Sequence, residues 1–86
     1  MDTGMRLIEI VEDKNNPSFM ASGVIYVNSL PVHVWAKGYL GINGKSLHIS
    51  SIPTFDVEIQ VEILKEVDKN RTAWIRKIKK YIRGKK

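Results

Sequence analysis

The fold is decided by the stretch AWIRKIKKYIRGKK, residues 73–86, which holds seven Lys and Arg residues and no acid. Its apolar residues recur at the spacing of one helical face: Trp74, Ile75, Ile78, Tyr81 and Ile82. At 100° per residue these side chains fall within about 60° of Ile78, so the pattern predicts an amphipathic helix with one apolar stripe. The stripe must pack against another element, because a helix cannot bury its apolar face alone.

We expect this helix to span residues 68–83. Asp68 or Asn70 would serve as its N-cap, and Gly84 would end it, since these residue types favour the two ends of a helix. Basic residues fill the last turn, where positive charge interacts favourably with the helix dipole. Residues 84–86 would then form a short basic tail.

Short strands and hairpins are predicted over residues 5–64. Runs rich in β-branched and aromatic residues, separated by turn or break signals, occur at residues 5–12, 19–28 and 32–40. Pro31 marks a break at residues 29–31, because proline donates no ladder hydrogen bond. The GING sequence at residues 41–44 contains the Asn-Gly pair that is typical of a hairpin, which would return as a strand over residues 45–50.

The sequence FDVEIQVEI, residues 55–63, alternates strictly between apolar and polar side chains. Asp56, Glu58 and Glu62 would lie on one face of a fifth strand, and the apolar side chains would be buried on the other. We therefore predict an α+β fold. It comprises an antiparallel sheet or small open barrel of about five short strands, followed by one C-terminal basic amphipathic helix packed on it.

Length and composition favour a small domain that folds alone. The 86 residues fit one domain, residues 1–86, and the 43% hydrophobic content is too high for a disordered chain. The lack of cysteine excludes disulfides, thiolate nucleophiles and cysteine metal sites. No apolar stretch approaches the ~20 residues of a membrane span, and no signal-peptide pattern is visible, so we expect a cytoplasmic protein.

Charge is distributed very unevenly along the chain. Residues 1–68 hold five basic and nine acidic residues, a net charge of −4, whereas residues 69–86 hold nine basic residues and no acid, a net charge of +9. Cations spaced along one helix face can meet successive phosphates and release their counterions. We therefore predict a protein that binds nucleic acid, DNA or RNA, with these contacts: Lys69, Arg76, Lys77, Lys79, Lys80, Arg83, Lys85 and Lys86.

These contacts should be mainly to the phosphate backbone. The basic face lacks Asn and Gln, which often contact base edges, so we expect little base specificity.

The sequence HVWAKGY, residues 33–39, offers a second possible contact set. If the small apolar residues face the core, then Trp35, Lys37 and Tyr39 face outward, with His48 and Ser46 on the neighbouring strand. Aromatic side chains interleaved with a cation can stack bases and hold a nucleic-acid backbone. The opposite register would bury Trp35 instead. In the first register the helix would cover one sheet face and this set would lie on the other, beside Asp56, Glu58 and Glu62 if their strands are neighbours.

No set of residues in the sequence indicates catalysis. The GKS sequence at residues 44–46 lacks the first Gly of a phosphate-binding loop, and a strand rather than a helix is predicted after it. We expect no enzyme activity, no cofactor and no metal. The alternative function is a non-enzymatic protein-interaction module or small regulator or inhibitor, whose basic helix or acidic strand face docks on a partner protein. Acidic and basic surfaces on one chain would also permit a homo-oligomer.

Overall fold

The computed structural model describes residues 4–11 and 17–84, which form four strands followed by one helix. The elements are β1 (Gly4–Val11), β2 (Ser18–Val27), β3 (Leu30–Leu40), β4 (Leu47–Ser51) and α1 (Val57–Gly84). The strands pair antiparallel in the order β1-β2-β3-β4. The predicted α+β class is confirmed, as an open antiparallel sheet of four strands rather than about five, followed by a C-terminal helix.

The predicted fifth strand over residues 55–63 is wrong, because α1 begins within this segment. Ile59 and Ile63, which are four residues apart, belong to the helix face that meets the core. The intervening Val57 and Val61 are 69% and 43% exposed. The period-two pattern therefore arises from two helical stripes, one buried and one exposed, that interleave along the same stretch.

The N-terminus of α1 is fixed by Asp56. Its Oδ1 accepts hydrogen bonds from the backbone N–H groups of Glu58 at 3.0 Å and Ile59 at 3.4 Å, as an N-cap does. Thr54 Oγ1 accepts the backbone N–H of Asp56 at 3.0 Å, and Gln60 Nε2 donates to the Thr54 carbonyl at 2.8 Å. The two bonds to Asp56 Oδ1 satisfy backbone donors that the first turn of a helix leaves without partners.

The caps predicted near residue 68 lie inside the helix instead. Asn70 Nδ2 donates to the Glu66 carbonyl one turn earlier, at 2.8 Å, and Asp68 forms an ion pair with Arg71. Gly84 is the last residue of α1. Lys85 and Lys86, the rest of the predicted basic tail, lie outside the described residues.

The β2–β3 connection is a two-residue turn at Asn28 and Ser29. Their φ angles of 51° and 66° match a type I′ turn, whose twist suits a hairpin. The predicted break at residues 29–31 is thus placed too late, because Pro31 is already the second residue of β3. In this register the Pro31 nitrogen points away from β2. It faces a part of the β3 edge that β4 does not reach, so the proline removes no hydrogen bond from the sheet.

The hairpin predicted at GING joins β3 and β4. The backbone N–H of Gly44 donates to the Gly41 carbonyl, and that of Gly41 donates to the Ser46 carbonyl, both at 2.8 Å. Asn43 Oδ1 accepts the backbone N–H of Lys45 at 2.9 Å. Gly44 has a φ of 68°, a left-handed conformation that glycine adopts without strain.

The core lies between α1 and the inner face of the sheet. Trp74 and Phe19 form its aromatic contact, with ring centroids 5.9 Å apart and planes tilted by 54°. Ala21 and Ala36, which are register partners in β2 and β3, are fully buried and leave room for larger side chains from the helix. The buried residues are Met5, Phe19, Ala21, Ile25, Val34, Ala36, Leu40, Ile63, Val67, Trp74 and Ile78. Tyr81, placed in the helical stripe by its spacing, is 37% exposed.

The helix runs from the β2–β3 turn to the β3–β4 loop. Near its start, Asn28 Nδ2 donates to Glu58 Oε2 at 3.2 Å. Near its end, Lys79 crosses the loop so closely that a Cβ on Gly44 would lie 3.0 Å from Lys79 Cε. At 1.5 Å per residue the helix is about 42 Å long, so its two halves lie at opposite ends of the sheet.

Two truncations test the helical start directly. Ile63→Ala should lower the free energy of unfolding by about 2–5 kcal/mol, because it leaves a cavity in the core. Val61→Ala should change it by no more than about 0.5 kcal/mol, because Val61 is exposed on α1. Urea unfolding followed by circular dichroism measures both. Equal, large losses would contradict the helix, since a strand would bury both side chains on one face.

Candidate nucleic-acid interface

The basic half of α1, residues 69–84, displays its cations on the side turned away from the core. Lys69, Arg76, Lys80 and Arg83 follow helical spacing on the face opposite Trp74, and all four are exposed. Lys77, also exposed, and Lys79, half-buried, flank this row on either side. The structure thus gathers the six predicted helix cations that it describes onto one surface of α1.

The cations of α1 differ in whether an acid lies beside them. Lys65 pairs with Glu62 at 3.3 Å, and Lys69 lies 4.0 Å from Glu66, so both charges are partly compensated one turn away. Arg71 pairs in the same way with Asp68. Within residues 4–11 and 17–84, no acid lies within 4.0 Å of the later cations: Arg76, Lys77, Lys79, Lys80 and Arg83. Lys69, predicted as a contact, is therefore electrostatically different from the other members of the set.

Three of the later cations line one shallow groove. Arg76, Lys80 and Arg83 surround it, and it ends at Gly84. Arg76 and Arg83 are about 10 Å apart along the helix axis, so they can reach different phosphates. The planar guanidinium groups of the two arginines can each bind a phosphate through two parallel hydrogen bonds.

Three acidic residues lie at the opposite end of α1 from the basic half. Asp56, Glu58 and Glu62 lie at the start of α1, not on a strand beside Trp35 and Tyr39 as the sequence suggested. Both charge groups suit the helix dipole, which favours acids near the N-terminus and bases near the C-terminus. The helix α1 therefore has an acidic end at the β2–β3 turn and a basic end at the β3–β4 loop.

The outer sheet face, which is turned away from α1, carries the second predicted contact set. Val34 and Ala36 are buried, and the alternate residues Trp35, Lys37 and Tyr39 point outward, in the first of the two registers considered above. Lys37 and Tyr39 are exposed and Trp35 is half-buried. Lys37 Nζ lies 5.7 Å from the centroid of the Trp35 ring, within the range of a cation–π contact.

The β3–β4 pairing brings a further ring to this face. His48 stacks on Tyr39 with ring centroids 5.0 Å apart and planes inclined by 23°. His48 Nε2 also lies 3.1 Å from Ser46 Oγ, within hydrogen-bond distance. A shallow groove beside the stacked rings is lined by loop residues, among them Ile42, which is 92% exposed. The hairpin signal at GING had indicated that His48 could lie next to this strand.

The two contact sets meet at one end of the molecule. Lys79 from the basic half of α1 crosses the β3–β4 loop at Gly44, and Tyr39 and His48 lie where β3 and β4 enter that loop. The sets occupy opposite faces of the sheet but share this end. A flexible polyanion can thus touch both by passing around the loop.

Residues 4–11 and 17–84 contain no group of three or more His, Cys, Asp or Glu side chains that could hold a metal ion. No helix in that part of the chain is long and apolar enough to cross a membrane. Comparison with models of known protein families, with curated proteins and with solved structures finds no match. The interpretation of the interface therefore depends on its geometry and charge.

Proposed function

We propose that this protein binds DNA or RNA by holding the phosphate backbone with the basic half of α1. The observation that carries the proposal is the run of five cations from Arg76 to Arg83 that has no acidic partner among residues 4–11 and 17–84. Helix faces that serve only solubility normally mix acids and bases, as the first half of α1 does with Glu62 and Lys65. The change from compensated to uncompensated charge within one helix favours an anionic ligand.

A polyanion relieves the repulsion within this run. Each phosphate that meets a Lys or Arg side chain releases condensed counterions, which drives association at low salt. The basic face of α1 lacks Asn and Gln, which often contact base edges. Contacts are therefore mainly to phosphates, which position a ligand without reading its sequence.

Reversing two charges tests the proposal. Lys80→Glu combined with Arg83→Glu should weaken binding of a fluorescein-labelled oligonucleotide at least about tenfold, because two phosphate contacts become repulsive. For the wild type, log K should fall with log salt at a slope of about −3 to −6, and the variant's slope should be shallower by about 2. Fluorescence anisotropy over about 50–200 mM salt measures both quantities.

The matched control is Lys65→Glu, which reverses an exposed charge in the acidic half of α1. It should leave the slope unchanged, and circular dichroism should find all variants folded. Binding by the double variant with the wild-type affinity and slope would place the contact elsewhere on the protein.

A second candidate function, a protein-interaction module, is favoured by an exposed apolar stripe on α1. Val57, Val61 and Leu64 lie one turn apart and are 69%, 43% and 47% exposed. Phe55, just before the helix, is 98% exposed. Apolar surface of this kind, bordered by charged residues, is typical of docking sites.

A second copy of the chain fits this stripe. The spacing of the stripe continues through Asp68 and Arg71 and ends there, because the next positions, Ile75, Ile78 and Ile82, pack against the core of their own chain. Two antiparallel α1 helices would oppose Asp68 to Arg71, with each acidic half against a basic half. Such a dimer would cover part of the basic half, so self-association and nucleic-acid binding would compete.

Leu64→Glu tests this candidate. Light scattering coupled to size exclusion should find the wild type at twice the 9.8 kDa chain mass at high concentration, and the variant as a monomer, because the new charge would be buried in the pair. Added oligonucleotide should dissociate the wild-type dimer. A wild type that stays monomeric at every concentration would rule out self-association through this stripe.

A further inference from the structure

We infer that the nucleic acid is single-stranded and that its bases stack on Trp35 and Tyr39 of the outer sheet face. This inference rests on the proposed function and specifies its ligand. It places the bases on the sheet and the phosphates on Lys37 and the basic half of α1. The two contact sets then form one continuous site around the β3–β4 loop.

The composition of the outer sheet face is unusual for a surface in contact with water. An antiparallel sheet with one covered face normally presents polar side chains on the other. Here β3 presents Trp35 and Tyr39, with Lys37 between them. The two rings are four residues apart, about 14 Å along the strand, so they would stack on different bases. A cation between two aromatic rings matches the needs of a sugar–phosphate backbone that links stacked bases.

The neighbouring strand β2 places only small side chains directly opposite the two rings. Ser22 is the register partner of Trp35, and Ser18 is the register partner of Tyr39. Side chains this small cannot cover an aromatic face, whereas a leucine or phenylalanine at either position would do so. The described outward positions of the four strands carry the cations Arg6 and Lys37 against one acid, Glu9.

Each of the two rings already has a partner in the structure. Trp35 has the ammonium group of Lys37 5.7 Å from its ring centroid, and Tyr39 has the flat imidazole of His48 stacked at 5.0 Å. A base that stacked on Trp35 would displace the Lys37 ammonium, which could then bind the adjoining phosphate. The groove beside Tyr39 and His48 continues the surface to the loop that Lys79 crosses.

A duplex cannot use these rings, because its bases are paired and stacked on one another. Only a single strand, or an unpaired segment, can turn its bases onto a sheet surface. The site therefore predicts a preference for single strands that phosphate contacts from α1 alone would not produce. That difference separates the inference from the proposed function on which it rests.

The test compares three probes of equal length: oligo(dT), an abasic strand and a duplex. The variant is Trp35→Leu with Tyr39→Leu, which keeps apolar bulk on the strand but removes the aromatic faces. Each lost stacking contact should weaken oligo(dT) binding by about 5- to 150-fold, and duplex and abasic binding should not change. Phe55→Leu, which removes a more exposed aromatic ring just before the start of α1, is the control and should bind like the wild type.

Intrinsic fluorescence gives an independent readout. Trp74 is 2% exposed, so quenching of tryptophan emission by oligo(dT) would report on Trp35. Quenching should occur in the wild type and disappear in Trp35→Phe. Equal affinity for strand and duplex, with no quenching and no loss in the double variant, would overturn the inference and leave the phosphate contacts of α1 standing. Failure of all three probes to bind would overturn the proposed function as well.

Discussion

The packing of one long helix across one face of a four-stranded sheet is the constraint on which the rest of the molecule depends. Ile63, Val67, Trp74 and Ile78 form the stripe that α1 contributes to the core. A sheet and a helix of this size each have one apolar surface, and burying the two against each other supplies most of the driving force for folding. Because only one helix exists in the described residues, only one sheet face is covered.

Two consequences follow for function. The helix is held along its length, so its acidic N-terminal half and its basic C-terminal half are fixed at opposite ends of the sheet. The outer sheet face remains open, so aromatic residues on β3 reach solvent without leaving the strand. The same packing thus creates a positively charged end and places an aromatic surface next to it. We propose that these neighbours act as one nucleic-acid interface.

The sequence was sufficient for those features that depend on local chemistry. The period of Trp74, Ile75 and Ile78 predicted the helix, and the Asn43–Gly44 pair predicted the β3–β4 hairpin. The change of net charge near residue 68 could be counted from the sequence, because it does not depend on the fold.

The error at residues 55–63 has a physical cause. Strict alternation fits a strand, but two helical stripes of opposite exposure generate the same pattern over nine residues. Two features of the sequence favoured the helix. Leu64 interrupts the alternation, and Ile59, Ile63 and Val67 are four residues apart, on the same helical face as Trp74. Other features required the pairing register itself. The stacking of His48 on Tyr39 and the contact of Lys79 with the β3–β4 loop are long-range, so no local pattern encodes them.

The central claim is that ligand binds at the end of the protein where the basic half of α1 meets the β3–β4 loop. Titrating a short oligo(dT) into the ¹⁵N-labelled protein, and following backbone amide shifts by NMR, maps the contact residue by residue. We predict that the largest shifts cluster at residues 76–84 and around Trp35, Tyr39 and His48, with little change at residues 57–64. Shifts concentrated at residues 57–64, or spread evenly over the molecule, would contradict the account.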